Sequence, residues 1–193
     1  ISKSTVSRED GIKFFGLDPA KKTVLSVGGS LGAKSINETL DKNIDAFGEN
    51  NLQLIWQTGK PYAVRGKERA AGKTNIWAGD FINQMENAYA AADLVISRSG
   101  AMAIAEICVM KKAVVFVPFP YAAEDHQTVN AQSLVNKNAG IMIKDSEALE
   151  LLIPALVALS KDESNQEELK SNISKLAITN ADEIIATEIL KLI

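Results

Sequence analysis

Four stretches of the chain hold residues whose types and spacing suit ligand chemistry. The first is Ser26-Val27-Gly28-Gly29-Ser30-Leu31-Gly32-Ala33, where a strand-like run gives way to a helical pattern. Glycines let the backbone approach a ligand closely and take up positive φ. A helix N-terminus behind them offers free N–H groups and a partial positive charge, which suits a phosphate. Gly29 and Ser30 are the candidates, Ser30 adding a hydroxyl donor. A tight strand–helix turn without a ligand has the same composition. The second stretch, Ser97-Arg98-Ser99-Gly100-Ala101-Met102-Ala103-Ile104-Ala105-Glu106, repeats the arrangement. Ala101 and Met102 open its helix, and Glu106 falls in the first or second turn. A carboxylate there can accept from both hydroxyls of a ribose; it can also simply complement the helix dipole. The third runs from Val117-Pro118-Phe119-Pro120-Tyr121 into a helix carrying His126, Gln127 and Asn130. Gln127 and Asn130 share a face at i, i+3, and amides supply the donors and acceptors that sugar hydroxyls need. A helix start with a solvated histidine explains the same residues. The fourth, Gly79-Asp80-Phe81-Ile82, is by itself a loop with apolar residues.

Other chemistries are disfavoured. His126 is the only histidine, and no nucleophile–base–acid triad can be assembled around it. The spacing Gly28-Gly29-x-x-Gly32 is not G-x-G-x-x-G, and the second strand ends in Gln57-Thr58 without the acidic residue that holds an NAD ribose. No G-K-[ST] follows, so a P-loop is excluded. No Asp-x-Asp pair offers a divalent metal against a diphosphate, and neither a metal nor a cofactor is expected. Cys108 is the only cysteine, which rules out an internal disulfide; between Ile107 and Val109 it suits core packing. A net charge of −3 argues against nucleic acid as the main partner. No apolar run reaches the roughly 20 residues that span a bilayer, and Ile1-Ser2-Lys3 does not open a signal peptide.

The elements that must position these residues alternate. Strands are expected at Thr23–Val27, Leu52–Gln57, Thr74–Ala78, Leu94–Ser97, Val114–Val117 and Gly140–Ile143. Continuous apolar runs such as Val114-Val115-Phe116-Val117 suit strands buried on both faces. Helices are expected at Ala33–Phe47, Tyr62–Ala71, Asn83–Ala92, Met102–Met110 and Gln127–Asn138. A short one, Ser7–Phe15, ends at Gly16, and Ser146–Ile193 is all-helical. Ser146-Glu147 caps that last region, Pro154 kinks it, and Asp182–Leu192 closes it. The alternation predicts an α/β fold: one domain over 1–193, a Rossmann-like open parallel sheet of about six strands with helices on both faces. Ligands then bind beyond the carboxyl ends of the strands, where all four stretches fall.

As an ordered set, Val27-Gly28-Gly29-Ser30 with Gly32-Ala33, Ala91-Ala92-Asp93-Leu94-Val95-Ile96-Ser97-Arg98-Ser99-Gly100-Ala101, Glu106, Val117-Pro118, and His126-Gln127 with Asn130-Ala131 resembles the MurG family, within the two-domain (GT-B) nucleotide-sugar glycosyltransferases. The resemblance runs from about Lys22 to the final helix. It implies the C-terminal, donor-binding half of an inverting transferase that moves N-acetylglucosamine (GlcNAc) from UDP-GlcNAc to lipid I. On that basis Gly29 and Ser30 face the phosphates. Ile82, with Phe81 beside it, meets uracil through backbone groups. Ala101 and Met102 face the phosphates and sugar, Glu106 holds the ribose diol, and His126, Gln127 and Asn130 meet the GlcNAc. The N-terminal domain, expected to carry the lipid acceptor site, the membrane-facing patch and the catalytic base, is absent, and the chain begins at Ile rather than Met. The resemblance places the enzyme on the inner face of the bacterial cell membrane. Alternatives left open are a standalone donor-binding subunit of another lipid-linked GlcNAc transferase and a non-catalytic nucleotide-binding module.

Overall fold

The computed structural model describes residues 4–191. The expected contribution of Leu192 to the last helix and the Ile1-Ser2-Lys3 start lie outside the described residues. Six strands, β1 (Lys22–Val27), β2 (Leu52–Gln57), β3 (Ile76–Gly79), β4 (Leu94–Ser97), β5 (Ala113–Phe116) and β6 (Ile141–Met142), pair in parallel in the order β3-β2-β1-β4-β5-β6. Every residue of β2, β4 and β5 is buried, including the polar Gln53 and Gln57 of β2 and Ser97 of β4, as strands covered on both faces require. Helices α1 (Arg8–Phe14), α2 (Lys34–Lys42), α3 (Asp45–Glu49), α4 (Ala63–Ala70), α5 (Met85–Ala91), α6 (Ala101–Met110) and α7 (His126–Val135) precede or link the strands. Helices α8 (Ala148–Lys161), α9 (Glu163–Ser174) and α10 (Ala181–Leu190) follow them.

Side-chain alternation divides the core in two. Val24, Leu54, Leu94 and Val115 pack against Ile36 and Leu40 of α2 and Leu152 and Leu156 of α8. Leu25, Ile55, Val95 and Val114 pack against Ile12 of α1, Tyr89 of α5, Ile107 and Cys108 of α6 and Leu134 of α7. Strand order runs one way from β1 through β2 to β3 and the other way from β4 to β6. The loops after β1 and β4 therefore diverge and leave a crevice at the carboxyl edge.

Several expected boundaries are corrected. Ala33–Phe47 is not one helix: α2 stops at Asn43, whose side-chain amide and backbone N–H both donate to the Thr39 carbonyl, at 2.9 and 3.1 Å. Local bonding of this kind competes with helix continuation. The third strand begins at Ile76 rather than Thr74, because the Ile76 N–H is turned back to Lys73. Ser146-Glu147 does not cap α8; a single 3-10 turn, Asp145–Glu147, leads in, with no side-chain cap. Helix α8 continues through Pro154, which lies on the exposed face, where water can serve the carbonyl its ring leaves unpaired. Helix α1 ends as expected, with Gly16 at φ 66°.

The loop after β1 is locked against the end of β2. A Cβ on Gly32 (φ 73°) would lie 2.2 Å from the Thr58 carbonyl oxygen, and one on Gly59 (φ 72°) 2.2 Å from the Gly32 nitrogen. Buried Asn37 fastens the same junction. It donates to the Thr58 carbonyl at 2.7 Å and accepts from the Trp56 indole at 2.8 Å. Asn37→Ala strands a buried indole N–H and a buried carbonyl, so it should lower the unfolding free energy by about 2–4 kcal/mol. Urea denaturation reads this, and a loss under about 0.5 kcal/mol would show that the bridge does not secure the loop.

Candidate functional site

The crevice is a cleft of about 1150 Å³, spacious for a small-molecule site. Its walls include Gly28 and Gly29 after β1, Lys34 and Ser35 opening α2, Gly100, Met102 and Ala103 opening α6, and Glu106. The residues preceding these helices are Ala33 and Gly100, and among the described residues neither helix has a side-chain cap. Two sets of first-turn N–H groups are thus left for a ligand, each at the positive end of a helix dipole. Gly29, at φ 75°, turns the backbone between β1 and α2.

Glu106 lies in the second turn of α6, past the reach of a simple dipole effect. Its Oε2 accepts from the Tyr89 hydroxyl at 3.0 Å, and Tyr89 is fully buried. Burial, and then the Glu106 charge, push the Tyr89 phenol well above its ordinary range, so it stays a neutral donor. Arg98 braces the floor. It donates to the carbonyls of Val117 and Pro118, both at 2.9 Å, to the Asp145 carboxylate and to the Ser35 hydroxyl, and its guanidinium lies 5.5 Å from the centre of the Phe119 ring.

Gln127 joins two loops across the cleft. Its Oε1 accepts from the N–H groups of Ser99 (3.3 Å) and Phe119 (3.0 Å), and the Ser99 hydroxyl donates to the Gln127 carbonyl at 2.8 Å. Among the described residues its Nε2 has no protein partner. Asn130 donates to the Ser99 carbonyl at 3.2 Å and, with Ala101, lines a smaller groove beside Cys108. His126 is exposed, its ring Nδ1 2.7 Å from the Ala123 carbonyl. Ser30 is exposed on the loop tip. Ile82 is buried, with no backbone partner among the described residues for its N–H or C=O. The structure therefore gathers Gly29, Met102, Glu106 and Gln127 on the cleft wall; Ser30, Ile82, Ala101, His126 and Asn130 are not part of its lining, and Ala101 and Asn130 face the smaller groove.

Two residues join the site that the sequence did not single out for it. Gln57 ends β2 in the cleft lining, 3% exposed, and its buried Oε1 has no partner among the described residues. A polar residue closing an apolar strand is the available signal. Tyr89 has no such signal, being an aromatic in an alanine-rich helix. Among the described residues no cluster of three or more His, Cys, Asp or Glu side chains is arranged to hold a metal.

Residues 23–186 match the model of the glycosyltransferase family 28 C-terminal domain. The chain belongs to glycosyltransferase family 28. Curated relatives include a protein of Phocaeicola vulgatus, 48% identical over 190 residues, covering 97% of this chain and 50% of the relative. Another, from Bacteroides thetaiotaomicron, is 48% identical over 196 residues, covering 100% and 53%. Both are named UDP-N-acetylglucosamine–N-acetylmuramyl-(pentapeptide) pyrophosphoryl-undecaprenol N-acetylglucosamine transferase. The crystal structure of Acinetobacter baumannii MurG superposes with a TM-score of 0.79 at 30% identity, covering 97% of this chain and 54% of that one. The chain spans about half the length of the curated relatives it matches. In this family 28 chain the four chemically suggestive stretches follow strands at one edge of the six-stranded parallel sheet.

The Gln127 bracket makes a direct prediction. Gln127→Ala leaves the N–H groups of Ser99 and Phe119 without their acceptor and should cost about 1–3 kcal/mol of stability. Gln127→Glu keeps an acceptor and should recover most of that loss. Equal losses in urea titrations of the two variants would show that the side-chain oxygen does not hold the loops together.

Proposed function

We propose that this family 28 chain binds UDP-GlcNAc as the donor half of an inverting transferase, which, with an acceptor-binding domain, converts lipid I to lipid II at the inner face of the bacterial membrane. The observation that carries the reading is the pair of uncapped helix N-termini, α2 and α6, flanking the β1/β4 crevice with Glu106 beside them. The relatives' names supply the sugar and the acceptor. No helix among the described residues is long and apolar enough to cross a membrane.

In this reading Gly29, Ser30 and the opening residues of α2 and α6 surround the pyrophosphate. The unpaired Ile82 backbone groups face uracil, Glu106 takes the ribose diol, and the free Nε2 of Gln127, with His126 at the start of the same helix, meets the GlcNAc, whereas Asn130 holds the Ser99 carbonyl behind it. The 4-hydroxyl of the N-acetylmuramyl unit attacks C1 from the face opposite the leaving group. The C1–O bond to UDP breaks, and its electron pair goes to the β-phosphate. Donors already aimed at that phosphate stabilise the charge as it develops. The base that takes the acceptor proton belongs to the acceptor-binding domain.

Calorimetric titration should show UDP and UDP-GlcNAc binding that survives excess EDTA, and no comparable binding of NAD. Loss of binding in chelator, restored by magnesium, would sink the metal-free electrostatics. Glu106→Ala should remove charge-assisted hydrogen bonds and weaken UDP about ten- to a hundredfold. If Glu106 does not touch the ribose, UDP affinity will not move. The chain alone should transfer no sugar, because positioning the second substrate supplies several powers of ten in rate; steady lipid II formation by the purified chain would refute this.

A further inference from the structure

We propose that Tyr89 is a positioning residue for nucleotide recognition: its buried hydroxyl fixes one oxygen of Glu106 so that the other meets the ribose. The proposal rests on the assignment of Glu106 to the ribose diol. Tyr89 lies on α5 and Glu106 on α6, so their hydrogen bond ties together the two helices that follow β3 and β4. Glu106 is partly buried on the cleft wall, and a free glutamate side chain samples several rotamers there. The Tyr89 ring is held in the core among the neighbours of α5, so its hydroxyl is a donor at a fixed point. Among the described residues Glu106 is its only hydrogen-bond partner.

Among the described residues the contact leaves Glu106 Oε1 without a protein partner, and a carboxylate oxygen has two acceptor sites. One oxygen is therefore anchored and the other is left to the ligand. Such anchoring lowers the entropy lost on binding without touching the ligand itself. A phenol suits the task, because it donates without bringing a charge that would neutralise the carboxylate. Burial keeps it protonated throughout the working pH range.

Two roles compete for the same contact. If Glu106 merely satisfies a buried hydroxyl, Tyr89→Phe changes stability but leaves nucleotide discrimination intact. If Tyr89 positions Glu106, Tyr89→Phe weakens UDP about three- to tenfold and narrows the ratio of UDP to 2′-deoxy-UDP affinity. Phenylalanine preserves the ring packing, and the melting temperature of the variant is measured alongside to establish that it is folded. Titration of wild type, Tyr89→Phe, Glu106→Ala and the double variant with UDP and 2′-deoxy-UDP completes the test. The expected result is a narrowed ratio in Tyr89→Phe and no further loss when it is added to Glu106→Ala. An unchanged ratio in folded Tyr89→Phe, or a full additional loss in the double variant, overturns the positioning role alone. A wild type that does not distinguish the two nucleotides overturns the ribose assignment as well.

Discussion

The cleft depends on the reversal of strand order between β1 and β4, made rigid by the contact of two glycines. Parallel strands running away from each other in sequence leave the loops after β1 and β4 diverging, which opens a crevice but does not fix its shape. The shape comes from Gly32 and Gly59, whose backbones approach so closely that neither position has room for a Cβ. Both hold positive φ, which glycine adopts at little cost. With the loop pinned to the end of β2, the start of α2 cannot drift, and its free N–H groups keep a defined direction.

Gln127 and Glu106 share one arrangement: one end is committed to the protein and, among the described residues, the other is not. Gln127 spends its oxygen on two backbone N–H groups and keeps its nitrogen. Glu106 gives one oxygen to Tyr89 and keeps the second. Arg98 differs, since its charge is matched by Asp145 and its donors serve the carbonyls of Val117 and Pro118. It acts as a strut joining β4, the loop after β5, α2 and the turn before α8. Groups held this way lose little freedom when a ligand arrives, and preorganisation of that kind favours the reacting geometry.

Burial was legible in the sequence because it has a period. The strands β2 and β4 fall where they are expected, β5 begins and ends one residue earlier, at Ala113–Phe116, and β6 shrinks to Ile141–Met142. Pairing has no period. Nothing in the order of residues says that Tyr89 meets Glu106, or that Asn43 turns its amide onto Thr39 and ends α2. The i, i+3 relation of Gln127 and Asn130 put both near the sugar site. In the structure Gln127 reaches Ser99 and Phe119 on the cleft side, whereas Asn130 lies against Ser99 and faces the smaller groove. Helical spacing fixes a direction only to within a turn's width, and the edge between two cavities falls inside that width.

The charged side chains lining the crevice leave little free cationic charge for a diphosphate, since Arg98 is matched by Asp145. Lys34 lines it but is largely solvated and loosely paired with Glu38 at 3.9 Å. Each uncapped helix start contributes roughly half an elementary positive charge, so the two together act as roughly one diffuse cation beside a diphosphate. That is weaker than a pair of lysines would be in the ground state, and it carries no strongly hydrated ammonium to strip of water. In the proposed reaction the negative charge on the β-phosphate grows as the glycosidic bond breaks, and fixed dipoles gain more from that growth than from the initial binding. Stabilisation that increases along the reaction raises the rate, whereas tight uniform binding of the nucleotide would only slow the departure of UDP. In the proposed reading, a site made of backbone donors, with Glu106 assigned to the ribose to set orientation, meets both demands with the residues that the β1/β4 reversal brings together.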